Sequence, residues 1–350
     1  MKPFTLQVPG KILLAGEYSV LWGSPSLSLA IQSKMTFHCH QRPGAGLCLS
    51  SALWDRPKIL HLDSSTKDVE ETRQEGRTIP TLEESLAQVW RRYSGKTDSD
   101  KQIVIEIHSE FGPKLGIGSS SAYLLGVYLC LLLTGDQPAR ETLSISPQIL
   151  EQACDLARKA QLAFQGHSSG YDVLTQAYGG LISYRYLAGE PSWEYILERQ
   201  PLLQQSFPWL HFAGNQTGAP TKIYVQRGQQ YLQDDPKGLQ ELTEKNLHLQ
   251  QAFFAKLVDN LSIADLIYAM ECQRQCLKKM PVYPQSLGQQ LSSLPGCGTE
   301  WSFKTTGAGG EDLLIFVAEP PAWEKLQSPL AKIGLSPLSL NPSALGTCLI

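Results

Sequence analysis

Four short segments combine residue types that hold phosphate-like anions. The first is Pro113-Lys114-Leu115-Gly116-Ile117-Gly118-Ser119-Ser120-Ser121-Ala122, between a strand-like apolar run and a helix-like one. A helix start leaves its first N–H groups unpaired and carries partial positive charge. Glycines let that backbone approach an anion, and serine hydroxyls donate further hydrogen bonds or ligate a metal. The second segment is Lys304-Thr305-Thr306-Gly307-Ala308-Gly309-Gly310-Glu311-Asp312, a small-residue loop between strands that suits a backbone concavity for an anion. The third, Pro9-Gly10-Lys11-Ile12-Leu13-Leu14-Ala15-Gly16-Glu17-Tyr18, opens an apolar strand with Lys11. Lysine inside such a strand is unusual unless it is paired or works on a ligand. The fourth, Gly166-His167-Ser168-Ser169-Gly170-Tyr171-Asp172-Val173, sets one carboxylate in a Gly/Ser turn.

Each segment also has a plain structural reading: a serine cap on a buried helix, a flexible hairpin, a snorkelling edge lysine, and an aspartate helix cap. Two common nucleotide fingerprints are excluded. The third glycine of GxGxxG would fall at Ser121, and Gly95-Lys96-Thr97 has Trp90 where a P-loop needs its first glycine.

The elements that must position these segments are legible from periodicity. Residues 4–8 and 11–15 read as strands joined by a turn at Pro9-Gly10, and 26–40 as extended, with His38 and His40 on one face. Residues 82–93 show helical spacing, 102–108 a strand, and 119–133 and 147–165 helices, followed by a second helix-like stretch and a strand at 181–186. After Ala188-Gly189-Glu190-Pro191, a plausible boundary, come a strand near 209–214 and helices near 221–233, 238–258, 262–279 and 283–292. A strand–loop–strand at 299–318 and a last helix and strand follow. The mix is α+β, in two lobes spanning 1–188 and 189–350.

Composition bounds the rest. The 350 residues fit two domains of about 150. Only 18% are charged against about 25% in ordinary soluble proteins, and 42% are hydrophobic, so a large core is available. A net charge of -3 gives no broad basic footprint for nucleic acid. The longest apolar run, Ala122 to Leu133, is 12 residues against the roughly 20 of a membrane span. No signal peptide is visible at the start, which points to the cytoplasm. Eight scattered cysteines read as reduced thiols, Cys272 and Cys276 included.

Taken in order, the segments resemble the GHMP kinase superfamily, which covers galactokinase, homoserine kinase, mevalonate kinase and phosphomevalonate kinase. Pro9 through Pro25 is similar to its first motif. Pro113 through Ala122 is close to PxxxGLGSSAA, one residue shorter after the proline. Lys304 through Gly310 is close to KxTGAGGG. Within the superfamily the chain resembles the isoprenoid branch. Gly16-Glu17-Tyr18-Ser19-Val20-Leu21 is similar to GEYAVL, and Ser169-Gly170-Tyr171-Asp172-Val173 with Ala177-Tyr178-Gly179-Gly180 is similar to SGxDVAxxxYGG, both of phosphomevalonate kinases. Glu311 replaces a glycine of their GGGD ending, and Val20-Leu21-Trp22-Gly23-Ser24-Pro25 lacks a residue that many of them carry.

The resemblance implies a two-lobed fold: an N-terminal ribosomal-S5-like α/β lobe that binds ATP and a C-terminal ferredoxin-like α+β lobe. It implies an ATP- and Mg2+-dependent kinase acting on phosphomevalonate. Mevalonate is the alternative acceptor, then another alcohol such as a sugar, then a catalytically silent sensor. It assigns ATP phosphates to Lys114, Gly116, Ile117, Gly118, Ser119, Ser120 and Ser121, with Ser120 on Mg2+. Asp172 matches the proposed general base and Lys11 the lysine that pairs with it. Gly307, Ala308, Gly309, Gly310, Ser169, Gly170, Glu17, Tyr18 and Thr221 fall in the anion and substrate loops. Lys222, Arg227 and Lys114 are candidates for a substrate carboxylate, by charge and proximity to the motifs. Mevalonate kinases carry a glutamate metal ligand on the helix before the aspartate turn, where this chain offers only Gln161 and Gln165. Partners are a small-molecule acceptor, neither nucleic acid nor membrane, in a monomer or homodimer.

Overall fold

The computed structural model describes residues 2–44, 46–51, 58–60, 101–110, 115–135, 144–188, 193–200, 207–215, 221–258, 262–307, 309–310 and 313–350. The helix expected at 82–93, and Lys114, Ala308, Glu311 and Asp312, lie outside the described residues.

The fold is α+β, with one eight-stranded and one four-stranded sheet among the described residues. In the first sheet, β1 (Phe4–Ala15) pairs along nearly its whole length with β2 (Pro25–Pro43). The expected turn at Pro9-Gly10 is instead a register shift inside one continuous strand. A bulge lets the strand bend without ending, and Gly10 fits because a Cβ there would stand 2.9 Å from the Ile31 side chain.

The far side of β2 serves two neighbours. Its end pairs with β5 (Lys101–Ser109), beyond which lie β3 (Leu47–Ser51) and β4 (Lys58–Leu60). Its start pairs with β6 (Leu181–Ala188), which carries β7 (Glu194–Gln200). Strand β12 (Cys348–Leu349) closes the other edge against Leu6 and Gln7. Thus β7 and β12 belong to the first sheet although both lie past the 188/189 boundary expected from sequence. The second sheet runs β11 (Ser336–Leu338), β8 (Leu210–Gly214), β10 (Leu314–Ala318), β9 (Trp301–Thr305), all antiparallel.

Helix α1 (Ser119–Gly135) is apolar on nearly every side, and Leu124, Leu125, Val127, Tyr128, Leu129, Cys130 and Leu131 are all buried. That is the pattern of a core helix, not of an amphipathic surface one. It packs on α2 (Pro147–Gln165) and on β1 and β2. Helix α2 starts at Ser146, whose side chain accepts from the Ile149 N–H, and stops at Gly166 in the left-handed region. Helix α3 (Tyr171–Tyr178) lies on β1, β2, α1 and α2. From the second half come α4 (Thr221–Asp234), α5 (Pro236–Val258), α6 (Ile263–Leu277), α7 (Gln285–Ser292) and α8 (Pro320–Lys332). Helix α5 also packs on β1 and β2. The later part of β1 is therefore covered by helices of both halves, which explains why every residue from Val8 to Ala15 is buried.

Candidate active site

Lys11 stands on this covered stretch of β1 and is only 6% exposed. Its backbone N–H donates to Ile117 O at 2.9 Å, which ties the Gly116–Gly118 loop to the strand. Its Nζ donates to Gly116 O at 3.4 Å and to the Tyr171 hydroxyl at 3.3 Å. Gly118 O accepts from Gln176 Nε2 at 2.9 Å, Ser121 Oγ at 3.0 Å and Ala122 N at 3.0 Å. Three successive carbonyls are thus engaged by the protein. In a trans peptide the N–H points opposite to the preceding C=O. The N–H groups of Ile117, Gly118 and Ser119 therefore face away from these contacts, at the start of α1. A Cβ on Gly118, whose φ is +86°, would lie 2.8 Å from Gln176 Nε2 and 2.9 Å from Lys11 Cγ, so only glycine fits there.

Beside this loop Ser119 is half-buried and Ser120 exposed, and among the described residues neither hydroxyl has a partner. Ser121 is buried and spends its hydroxyl on Gly118. The loop therefore offers N–H groups turned away from these contacts and, among the described residues, two hydroxyls without a partner at a helix start, a combination suited to phosphate oxygens.

Asp172 lies in the first turn of α3, half-buried. Its Oδ1 accepts from Val173 N at 2.9 Å and its Oδ2 from Gln161 Nε2 at 2.7 Å. It makes no direct ion pair with Lys11, although the resemblance implied one; its charge acts on Lys11 through space. Burial lowers the Lys11 pKa from the ordinary lysine value, and the charges of Asp172 and Glu17 partly offset this. Burial also raises the Tyr171 pKa well above the usual phenol value, with help from the same two carboxylates. Gly170, at φ +84°, caps α3 beneath Trp193, whose Cζ2 would be 2.2 Å from a Cβ at that position. Ser169 is buried and its carbonyl accepts from the Tyr184 hydroxyl.

The first and third motifs meet. Thr306 Oγ1 donates to Leu13 O at 2.8 Å, and Lys304 forms an ion pair with Glu17. Lys304 and Glu17 are 0% and 1% exposed at their side chains. Glu17 Oε2 also accepts from Gln273 Nε2 at 2.8 Å. Asn246 joins the group, accepting from Gly16 N at 3.1 Å and donating to Ser19 Oγ at 2.7 Å. Tyr18, at φ +60°, is buried and packs on Gly228 of α4. The side chains of Glu17 and Tyr18, expected in an anion or substrate loop, thus anchor the turn in the second half of the chain. Gly307, Gly309 and Gly310 all have positive φ, and Gly310 N donates to Val282 O at 3.3 Å. Thr221 begins α4. Arg227 is exposed on the same helix.

Sequence reasoning missed Tyr171, Gln176, Asn246 and Gln273 as partners of the motif residues, and gave Gln161 no contact with Asp172. Their amides and phenol carry no pattern of their own; only the fold brings them to Lys11, Gly118, Asp172 and Glu17. Among the described residues no group of three or more His, Cys, Asp and Glu side chains could hold a metal, and no helix is long and apolar enough to cross a membrane.

No protein-family model matches the chain. A mevalonate kinase of Pyrococcus horikoshii is 23% identical over 319 residues, covering 89% of this chain and 87% of the relative. Three further mevalonate kinases match over 49%, 50% and 57% of their own length, so the chain spans about half of these relatives. Among solved structures, Streptococcus pneumoniae phosphomevalonate kinase in complex with phosphomevalonate and AMPPNP superposes with a TM-score of 0.69 at 18% identity, covering 97% of this chain and 99% of that one. Lactococcus lactis galactokinase complexed with galactose gives 0.67 at 14% identity, covering 99% and 95%.

Proposed function

Because the chain belongs to the GHMP kinase superfamily, in its isoprenoid branch, we propose that it transfers the γ-phosphoryl group of ATP to phosphomevalonate. The observation that carries this reading is the placement of Lys11, a buried cation between the Gly116–Ser119 loop and the Tyr171–Asp172 turn.

Phosphoryl transfer needs alignment and charge neutralisation more than covalent chemistry. The outward N–H groups of Ile117, Gly118 and Ser119 and the Ser119 hydroxyl would hold nucleotide phosphates. The exposed Ser120 hydroxyl, without a partner among the described residues, fits a Mg2+ ligand, and the ion when bound supplies charge neutralisation at the phosphates. Gln161 gives its amide to Asp172, so the position offers no second carboxylate to the metal. Lys11, held short of a direct ion pair, keeps its charge available for the transferring group. Asp172 sets the field around Lys11 and faces the acceptor.

A phosphomonoester has a second pKa of about 6 and is largely ionised at neutral pH. Phosphomevalonate therefore asks little of a base, which suits an aspartate already committed to two N–H donors. Mevalonate is the second reading, favoured by the mevalonate kinases among the sequence relatives. Coupled ADP release with phosphomevalonate, mevalonate and a sugar panel tests both. Turnover fastest with phosphomevalonate is the expected result. Preference for mevalonate would replace the reading, and ATP binding without turnover of any acceptor would sink kinase function.

A further inference from the structure

Gln161 lies on α2, 3% exposed, one turn before the helix ends. Its Nε2 donates to Asp172 Oδ2 at 2.7 Å, and its Oε1 accepts from the Ser168 hydroxyl at 2.9 Å. The two contacts define the amide's orientation. Reversing it would set Oε1 against the Asp172 carboxylate, two acceptors with no proton between them. Ser168 belongs to the loop joining α2 to α3, so helix, loop and carboxylate form one chain of hydrogen bonds. Val173 N holds the other carboxylate oxygen at 2.9 Å, and both oxygens of Asp172 are therefore fixed.

A second contact from the same face of α2 acts on the backbone. Arg158, three residues before Gln161 and 1% exposed, lies 5.2 Å from the centroid of the Trp193 ring. Trp193 in turn covers Gly170, the residue that caps α3. One helix face thus sets the direction of the Asp172 carboxylate through Gln161 and braces its turn through Trp193.

We infer that Gln161 is a positioning residue for the transfer reaction, its amide oriented by Ser168 so that it donates to Asp172 and holds that carboxylate toward Lys11 and the acceptor. This rests on the kinase reading given above. The neutral amide is required: a carboxylate there would accept from Ser168 equally well but could not donate to Asp172, and it would add like charge.

The test compares wild type with Gln161→Glu, Gln161→Leu and Ser168→Ala. Expected are a fall in kcat of about tenfold or more for both Gln161 variants and a smaller fall, about two- to fivefold, for Ser168→Ala. KM for ATP and acceptor should stay within about threefold and Tm within a few degrees, a split that a purely structural residue would not give. Gln161→Glu is nearly isosteric and keeps the comparison open if Gln161→Leu does not fold. Retained or raised kcat in Gln161→Glu, or a loss confined to KM, would overturn the inference. Crystal structures of wild type and Gln161→Glu give an arm independent of turnover: the Asp172 carboxylate should rotate away from residue 161. If wild type phosphorylates none of the acceptors, the kinase reading fails. An unmoved Asp172 in the variant removes the positioning role by itself.

Discussion

Two buried lysines in one molecule have opposite surroundings. Lys304, fully buried, faces Glu17 in an ion pair whose carboxylate is further held by Gln273. Lys11, 6% exposed, is met by a carbonyl and a phenol oxygen, with its nearest carboxylate charges acting only at a distance. Burial lowers the pKa of both amines below the ordinary lysine value. Only Lys304 has a carboxylate in contact to compensate. A paired charge is finished and serves the fold, whereas an underpaired one is a standing penalty that makes sense when an anion completes it.

The sharpest way to break this contrast is to remove each amine. Lys304→Met should strand Glu17 without a counter-charge and cost about 3–5 kcal/mol in denaturant unfolding. The double variant Lys304→Met with Glu17→Gln should recover most of that loss, and failure to recover would mean that the pair is not the main term. Lys11→Met should lower kcat about 10²–10³-fold while leaving Tm unchanged or raised. The sign follows from linkage. A lysine with a lowered folded pKa binds its proton more weakly folded than unfolded, so its burial opposes folding at neutral pH and is relieved as pH rises toward the ordinary lysine value. A large fall in Tm for Lys11→Met would erase the distinction between the two lysines.

A smaller effect separates the acceptors. Asp172→Asn keeps the size of the side chain and removes its charge. It should slow mevalonate phosphorylation about tenfold more than phosphomevalonate phosphorylation, because only the alcohol needs a base. Equal losses on the two acceptors, measured in the same ADP-release assay, would assign Asp172 a purely electrostatic role toward Lys11.

The contrast between the lysines also marks what the sequence could express. Lys11 stands out because it interrupts an apolar strand, and that anomaly is local. Lys304 reads as the polar start of a glycine loop, because its partner lies far away in the chain. Gln161 stands out only through the resemblance, as a neutral residue where a glutamate ligand is expected; its hydrogen bond to Asp172 has no pattern in the sequence. Strands with apolar alternation, such as β5, and the mostly apolar α1 are legible from pattern alone. Strand β7 escapes because it is a mostly exposed edge with Glu194, Glu198 and Arg199 among seven residues, and no element is expected there from the sequence. Pro9-Gly10 reads as a turn, yet pairing on β2 carries the strand through it with only a shift of register.

The Glu17–Lys304 contact joins residues 287 positions apart. Until the later lysine arrives, the first sheet must keep a desolvated carboxylate at its edge or leave the Gly16–Ser19 turn undocked. Contacts of such separation form late and slow the search for the native state. A fragment ending near residue 188 would lack Asn246, Gln273, Lys304 and the strand that flanks β6. The parts of the chain before and after residue 188 are therefore expected to unfold as one cooperative unit, with the turn behind Lys11 as their shared hinge pin.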